Sequence, residues 1–433
     1  MTSTERSRLA FVWALWFVAL GAAAYLAYHR YNELAGVIPT GANGAGGDFW
    51  LFLHGARQIA SGHSLYGSAG VPKNSYGYVY SPLVALVLLP FSHAATVHVW
   101  HVWTALSIAA LILFAGLVTL AEVPGPFSWR RPLLFGFSVV TVLEFVVTKV
   151  ELSQGQTDAF VLVVLAVAVL MLERRVALGV LIGIGGLIKT WPAAAALVVF
   201  RHGVGGRLRV LVGLVPTLLV ALVLAGAIGG TSGLEVFLRE TFDSRSQNLI
   251  SHSVWGTPLL LFSDSRLAHP VLVSTPLRDI VTVVLLIWVV TLLVISLRWN
   301  ASPVLCFWNV VACVVLLVPV SHSYYTLYLL PILWIWAGRW LAAPRSGGTV
   351  LVVAGLLMLW WLVLFHINWS PIANGSPTES SLRVSVIFFA NLAAVTVSVV
   401  GDRRVGTIHN ERAPENPIPS RAPDRARSEV PTT

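Results

Sequence analysis

The sequence predicts an all-α polytopic membrane protein, with about twelve transmembrane helices and amphipathic surface helices in its outer loops. Two features of composition point there: 56% of residues are hydrophobic and only 11% charged, and the mean hydropathy is +0.78. The third is that apolar runs recur from Leu9 to Val400, many near the roughly 20 residues that cross a bilayer core of about 30 Å. A β-barrel would show short alternating segments instead.

Taken in order, the spans fall near 9–28, 97–120, 132–149, 158–172, 176–189, a short one at 191–200, then 209–230, 277–298, 302–320, 323–342, 349–367 and 382–400. Positive residues prefer the cytoplasmic flanks, which sets their direction. Arg6 and Arg8 start inside, and the inner turns then hold Arg130-Arg131, Glu173-Arg174-Arg175, Arg201 to Arg209, Arg298, Arg339 to Arg345 and Arg403-Arg404. The apolar run Pro82 to Phe91 is short, and counting it as a crossing would turn every later arginine outward. It reads as re-entrant or interfacial. The first span reads as an uncleaved anchor, and residues 1–400 as one membrane domain. Beyond Gly401 the chain is proline-rich, carries both signs of charge and lacks apolar periodicity, which predicts a disordered cytoplasmic tail over 401–433. Cys306 and Cys313, seven apart in one span, read as small buried thiols. No internal repeat is evident, which counts against transporter folds built from duplicated halves.

On this topology the unusual polar residues gather on the outer side. The first long loop holds Asp48 in Gly46-Gly47-Asp48-Phe49-Trp50-Leu51-Phe52, followed by Arg57, Lys73 and the tyrosines 76, 78 and 80. Phe49, Phe52, Leu53, Ala56, Ile59 and Ala60 repeat at helical spacing, as in a helix lying on the membrane. Asp48 is either the N-cap of that helix or a carboxylate placed to deprotonate a hydroxyl beside a lipid-borne substrate. One group can do both. The second outer region, Thr231 to Pro276, carries Leu234, Phe237, Leu238 and Phe242 at amphipathic spacing, then Arg245, Gln247, Asn248, His252, Trp255 and Gly256. Arg239, Arg245 and Arg266 defy the positive-inside tendency; anionic headgroups explain them in general, and a specific phosphate held by arginine is the sharper alternative.

Two polar knots share that side: Lys149, Glu151, Gln154, Gln156 and Asp158 between two spans, and Ser321-His322-Ser323-Tyr324-Tyr325 at the head of another. Lys189 ends a span just before Trp191-Pro192, where a lysine often snorkels to water. A transport path would place polar groups near mid-membrane, so one-sided clustering favours an enzyme. His98 and His101 lack a third ligand at useful spacing and read as interfacial. Glu144 needs a partner inside the membrane, with Thr148 or Lys149 nearest in sequence. There is no P-loop, dinucleotide fingerprint or HExxH, and no nucleic-acid partner is expected.

The ordered series Asp48, Leu65-Tyr66, Tyr78-Val79-Tyr80-Ser81-Pro82, Gln154-Gly155-Gln156, Gly179 to Lys189 with Trp191-Pro192, and His252-Ser253-Val254-Trp255-Gly256 resembles the polyprenyl-phosphate-mannose-dependent glycosyltransferases of family 87, membrane enzymes of the GT-C type. The resemblance covers about residues 5 to 400. With the His322-Ser323-Tyr324-Tyr325 cluster it is most similar to members forming α-1,2 linkages on phosphatidylinositol mannosides. It implies inverting transfer of mannose from polyprenyl-phosphate-mannose to a phosphatidylinositol mannoside at the outer face of the plasma membrane, among membrane lipids and with no cofactor or metal. Lipomannan or lipoarabinomannan is the rival acceptor, and a glycolipid transporter the rival class. Such a reaction needs a base, a cation on the leaving phosphate and groups that hold sugar. The expected base is Asp48, assisted by His322; Lys189, Arg245 and His322 are expected at the donor phosphate; Tyr80, Gln154, Gln156, His252, Trp255 and Tyr324 are expected to hold sugar and acceptor.

Overall fold

The computed structural model describes residues 2–37, 39, 41, 46–66, 78, 80–123, 125, 127–242, 251–264, 270–300, 302–342, 348–365 and 377–412. Every regular element among them is helical. Helix α1 (Ser3–Ala35) is followed by α2 (Gly47–Ala60), α3 (Pro82–Leu88), α4 (Thr96–Glu122), α5 (Arg130–Glu144), α6 (Val146–Gln154), α7 (Asp158–Leu170) and α8 (Arg175–Ile188). A 3-10 segment, Trp191–Arg201, leads to α9 (Val204–Phe242), α10 (Gly256–Phe262), α11 (Thr275–Trp299) and α12 (Pro303–Leu317). A second 3-10 segment, Ser323–Leu329, runs into α13 (Leu330–Ala342), then α14 (Gly348–Phe365) and a last helix, Pro377–Arg412.

Helical elements occupy every expected span, but the count of twelve complete crossings does not follow. Among the described residues, five helices are long and apolar enough: Ser3–Ala35, Thr96–Glu122, Gly205–Gly230, Thr275–Trp299 and Ser385–Asp402. A sixth arises if α5 and α6, bent by 61°, are taken together. Helices α7, α8 and α12 have 13, 14 and 15 residues. Helix α7 starts at the buried Thr157-Asp158 and α8 stops at the buried Lys189, where irregular backbone is tolerated at membrane depth because protein covers it. The run 82–91 is α3 plus a 3-10 turn at Leu89–Phe91, which is short of a crossing. The last helix continues past Gly401 to Arg412, so the first part of the expected tail is helical; 413–433 lie outside the described residues.

Helices α8 and α9 approach closely because small residues face each other, the usual device of membrane helix pairs. A Cβ at Gly179 would lie 2.0 Å from the Val210 carbonyl oxygen, and one at Gly213 would lie 2.2 Å from that of Val176. Gly179→Val should therefore force the helices apart and lower the thermal midpoint of the detergent-purified protein by several degrees, a cost of about 1–3 kcal/mol. An unchanged melting curve would show that the contact yields freely.

The bend at Phe145 ends the helical ladder of α5, and two of its last carbonyls find side-chain donors. Thr148 Oγ1 donates to the Val142 oxygen, while Arg30 Nε and Nη2 donate to the Leu143 oxygen at 3.0 and 2.6 Å. Arg30 also pairs with Glu33 at 2.5 Å and lies 3.6 Å from Glu144. The partner of Glu144 is thus Arg30 and neither of its sequence neighbours: Thr148 turns back to the bend, and Lys149 meets Glu33 at 3.5 Å. Both cysteines are buried thiols.

A large core joins most of the bundle, and a smaller one gathers Phe49, Phe52, Leu53 and Ala56 of α2 with Trp100 and Trp103 of α4 and Val84 and Ala85 of α3. The apolar stripe of α2 is therefore covered by protein from Phe49 to Ala56, with Ala60 at its end exposed. Arg57 ties the helix down by donating to the carbonyls of Ser92 and Ala94, both at 3.0 Å. Helix α9 breaks at Gly230, whose φ is +65°; beyond the break Phe237 packs on Tyr66 with ring centroids 5.8 Å apart.

Candidate active site

Two left-handed glycines bring the site together. Gly46, with φ +73°, begins α2 and donates its N–H to the Ser153 carbonyl at 2.6 Å. Gly155, with φ +68°, ends α6, and its carbonyl accepts from Trp103 Nε1 at 3.1 Å. The start of α2 is thereby fixed against the loop between α6 and α7. Gly46, not Asp48, is the N-cap residue, and no side chain caps this helix. The carboxylate of Asp48 is free to turn inward.

There, Asp48 Oδ1 accepts from the Tyr80 hydroxyl at 2.6 Å, and Oδ2 accepts from Gln156 Nε2. The same Nε2 reaches the Tyr324 hydroxyl at 2.9 Å. Gln156 Oε1 accepts from Lys189 Nζ at 3.0 Å, and Lys189 forms an ion pair with Asp158. Asp158 accepts from the Tyr328 hydroxyl at 2.6 Å through Oδ1, while its own N–H donates to Glu151 Oε1 at 3.0 Å. Lys189 lies over the rings of Tyr324 and Tyr325, 4.9 and 4.7 Å from their centroids. His322 stacks on Tyr324 at 5.1 Å.

Burial pushes the Asp48 carboxyl above its ordinary value, against the Tyr80 hydrogen bond and the Lys189 charge that pull it down. The residue as a whole is only half-buried. A base made stronger by desolvation suits proton abstraction near neutral pH. Burial, with the charges of Lys189 and His252, pushes His322 down to about 3. At neutral pH it is a neutral imidazole.

An apolar groove of about 490 Å³ runs between α3, α4 and the ends of α7 and α8. Val87, Phe91, Val102 and Leu106 form its outer walls, and Thr157, Phe160 and Ile188 line it beside Gln156, Asp158 and Lys189 in sequence. The groove thus runs from the bundle's apolar surface to residues that neighbour the polar cluster in sequence, while the cluster's own side chains do not line it.

The family model for glycosyltransferase family 87 matches residues 78–321, more than half of the chain. The chain belongs to glycosyltransferase family 87. Its apolar helices and this family together make it a membrane glycosyltransferase. Among curated proteins, none matches the chain. The family 87 match takes in Tyr80, Gln156, Lys189 and His252, and ends one residue before His322. Asp48, His322 and Tyr324 join the family 87 region through folding alone.

The structure assembles Asp48, Tyr80, Gln156, Lys189, His322 and Tyr324 in one cluster. His252 is buried at its edge, its N–H donating to the Ser321 carbonyl at 2.6 Å. Trp255 stands apart, 37% exposed, with Nε1 donating to the Leu317 carbonyl at 2.7 Å. Gln154, half-buried at the end of α6, makes none of the hydrogen bonds of the cluster. Arg245 and Arg266, with Lys73 and Tyr76, lie outside the described residues. Lys189 does not snorkel: it is 7% exposed and points into the protein. His98 lines the groove, whereas His101 meets the Tyr31 hydroxyl at 3.2 Å, so the two share no ligand position. Sequence reasoning gave no role in the site to Asp158, Glu151 or Tyr328. Asp158 and Glu151 stood in the flagged polar knot, and Tyr328 follows Tyr324 by four residues, so the signal lay in their joint presence.

Proposed function

We propose that the chain is an inverting α-1,2-mannosyltransferase that moves mannose from polyprenyl-phosphate-mannose to a phosphatidylinositol mannoside at the extracytoplasmic face of the plasma membrane. The observation that carries this reading is a desolvated carboxylate, held by Tyr80 and Gln156, beside a groove suited to an apolar chain. Asp48 takes the proton of the acceptor hydroxyl as its oxygen attacks the anomeric carbon, and the bond to the polyprenyl phosphate breaks with the electron pair leaving on the phosphate. A β-linked donor then gives an α-linked product in one displacement. Arg131 lies in the first turn of α5, Arg175 begins α8 and Arg339 lies in the last turn of α13, at the ends of those helices away from Gln156, Lys189 and Tyr324, which supports an outward-facing cluster by the positive-inside tendency.

His322 serves this reaction as a neutral hydrogen-bond donor to the phosphate or the acceptor hydroxyl. Arg245 is the cation we assign to the leaving phosphate, and the partly exposed ring of Trp255, with Gln154 and His252, borders the sugar. His322→Ala should lower the rate about 10²-fold, measured with purified enzyme and labelled donor; wild-type turnover would remove it from the chemistry. The function itself is tested with membranes lacking and regaining the protein, given labelled polyprenyl-phosphate-mannose, with mass analysis of the lipids. A mannosylated phosphatidylinositol mannoside is expected. Label in lipomannan alone would assign the other acceptor, and no transfer would sink the reading.

A further inference from the structure

Resting on that reading of Asp48 as the base, we infer that Lys189 is a positioning residue, which acts on Asp48 through Gln156 by fixing which end of the Gln156 amide faces the carboxylate. An amide presents an acceptor at one end and a donor at the other. The Lys189 ammonium can only donate, so it takes Oε1, at 3.0 Å. Nε2 is then left for Asp48 Oδ2 and for the Tyr324 hydroxyl. A reversed amide would set oxygen against carboxylate and N–H against ammonium, and both contacts repel.

Lys189 is itself held in place. Asp158 pairs with it, Tyr328 and Glu151 hold Asp158, and the rings of Tyr324 and Tyr325 cover the ammonium. Its charge is already matched by Asp158, and a leaving phosphate would have to displace two buried tyrosines to reach it. This geometry suits the orientation of a neighbour better than the binding of an anion. The lysine anticipated at the donor phosphate thus works one residue removed from the substrate.

The test removes both charges together, in Lys189→Met/Asp158→Asn, so that no buried ion is left unpaired. The titratable groups around Asp48 are Tyr80, Tyr324, Lys189 and Asp158. The two charges lost act on Asp48 in opposite directions and partly offset each other, while the amide is freed to turn. The expected result is a fall in kcat of about 10²-fold with the KM for the lipid donor nearly unchanged. Adding Gln156→Met to that pair should cost little more, because both changes break one unit. A raised donor KM with kcat retained, or fully additive losses, would overturn the inference and restore Lys189 to the phosphate.

A readout without turnover keeps this separate from the function itself. A hydrophobic carbodiimide modifies protonated carboxyls, and its labelling of Asp48, followed by mass spectrometry, should extend to higher pH in the paired variant than in the wild type. Identical labelling profiles would overturn the inference whether or not sugar is transferred. Absence of mannosyl transfer by the wild type would instead count against the proposed function alone. Lys189→Gln/Asp158→Asn, which keeps hydrogen bonding at both positions without imposing a direction on the amide, carries the same expectations should the first pair not fold.

Discussion

Asp48→Asn is expected to lower sugar transfer by about 10³-fold or more while leaving the protein folded. Asparagine keeps the shape and can still accept from Tyr80, but it cannot take a proton. It also turns one end of the side chain into a donor facing Gln156 Nε2, a donor as well, so the neighbouring amide loses its partner. Because burial raises the Asp48 carboxyl above 3.8, and the base works only when ionised, the wild-type rate should fall on acidification at a pH above that ordinary value. The variant's residual rate should lack this limb. Single-turnover rates of purified wild type and Asp48→Asn across pH decide the matter, and near-normal turnover would remove Asp48 from the chemistry.

The second large effect is expected at a residue with no side chain. Gly155→Ala meets two costs: a left-handed backbone, about 1–2 kcal/mol, and a Cβ placed 2.5 Å from the Phe49 Cβ and 2.7 Å from Trp100 Cζ3, which adds about 1–3 kcal/mol. The fold should lose about 2–5 kcal/mol, and Gln156, the next residue, should be carried out of place with a corresponding loss of activity. Gly62→Ala is the control: Gly62 has φ +71° and nothing within 4 Å of an added Cβ, so only the backbone cost applies. Equal melting curves for the two variants would show that the contact with Phe49 and Trp100 yields freely.

Much of the fold was legible because bilayer length and apolar runs mark helices strongly, and elements stand at the expected spans from 9–28 to 382–400. The number of full crossings was not, because length rules treat each run alone. Helices such as α7, at its start, and α8, at its end, meet a polar cluster inside the bundle that only tertiary structure supplies. Asp48 was legible as a carboxylate at the head of an apolar stripe. Its capping role was misplaced by two residues, since Gly46, left-handed and without a side chain, occupies the N-cap position. Lys189 shows the limit most clearly. A lysine at a helix end usually reaches for water, and nothing local reveals that Asp158, 31 residues earlier, draws it inward.

The groove between α3 and α4 changes what concentration means for this protein. Its walls include Val87, Phe91, Val102 and Leu106, all large and exposed on the apolar surface, so under the proposed function a lipid substrate would enter from the plane of the membrane. Arrival then depends on molecules per unit area of bilayer, and diluting vesicles at fixed lipid composition leaves the rate per enzyme unchanged. Adding inert lipid or detergent slows it, through two-dimensional dilution and competition for the same walls. A Michaelis constant for a lipid donor would then be a mole fraction of the surface, to be compared only between bilayers of the same composition.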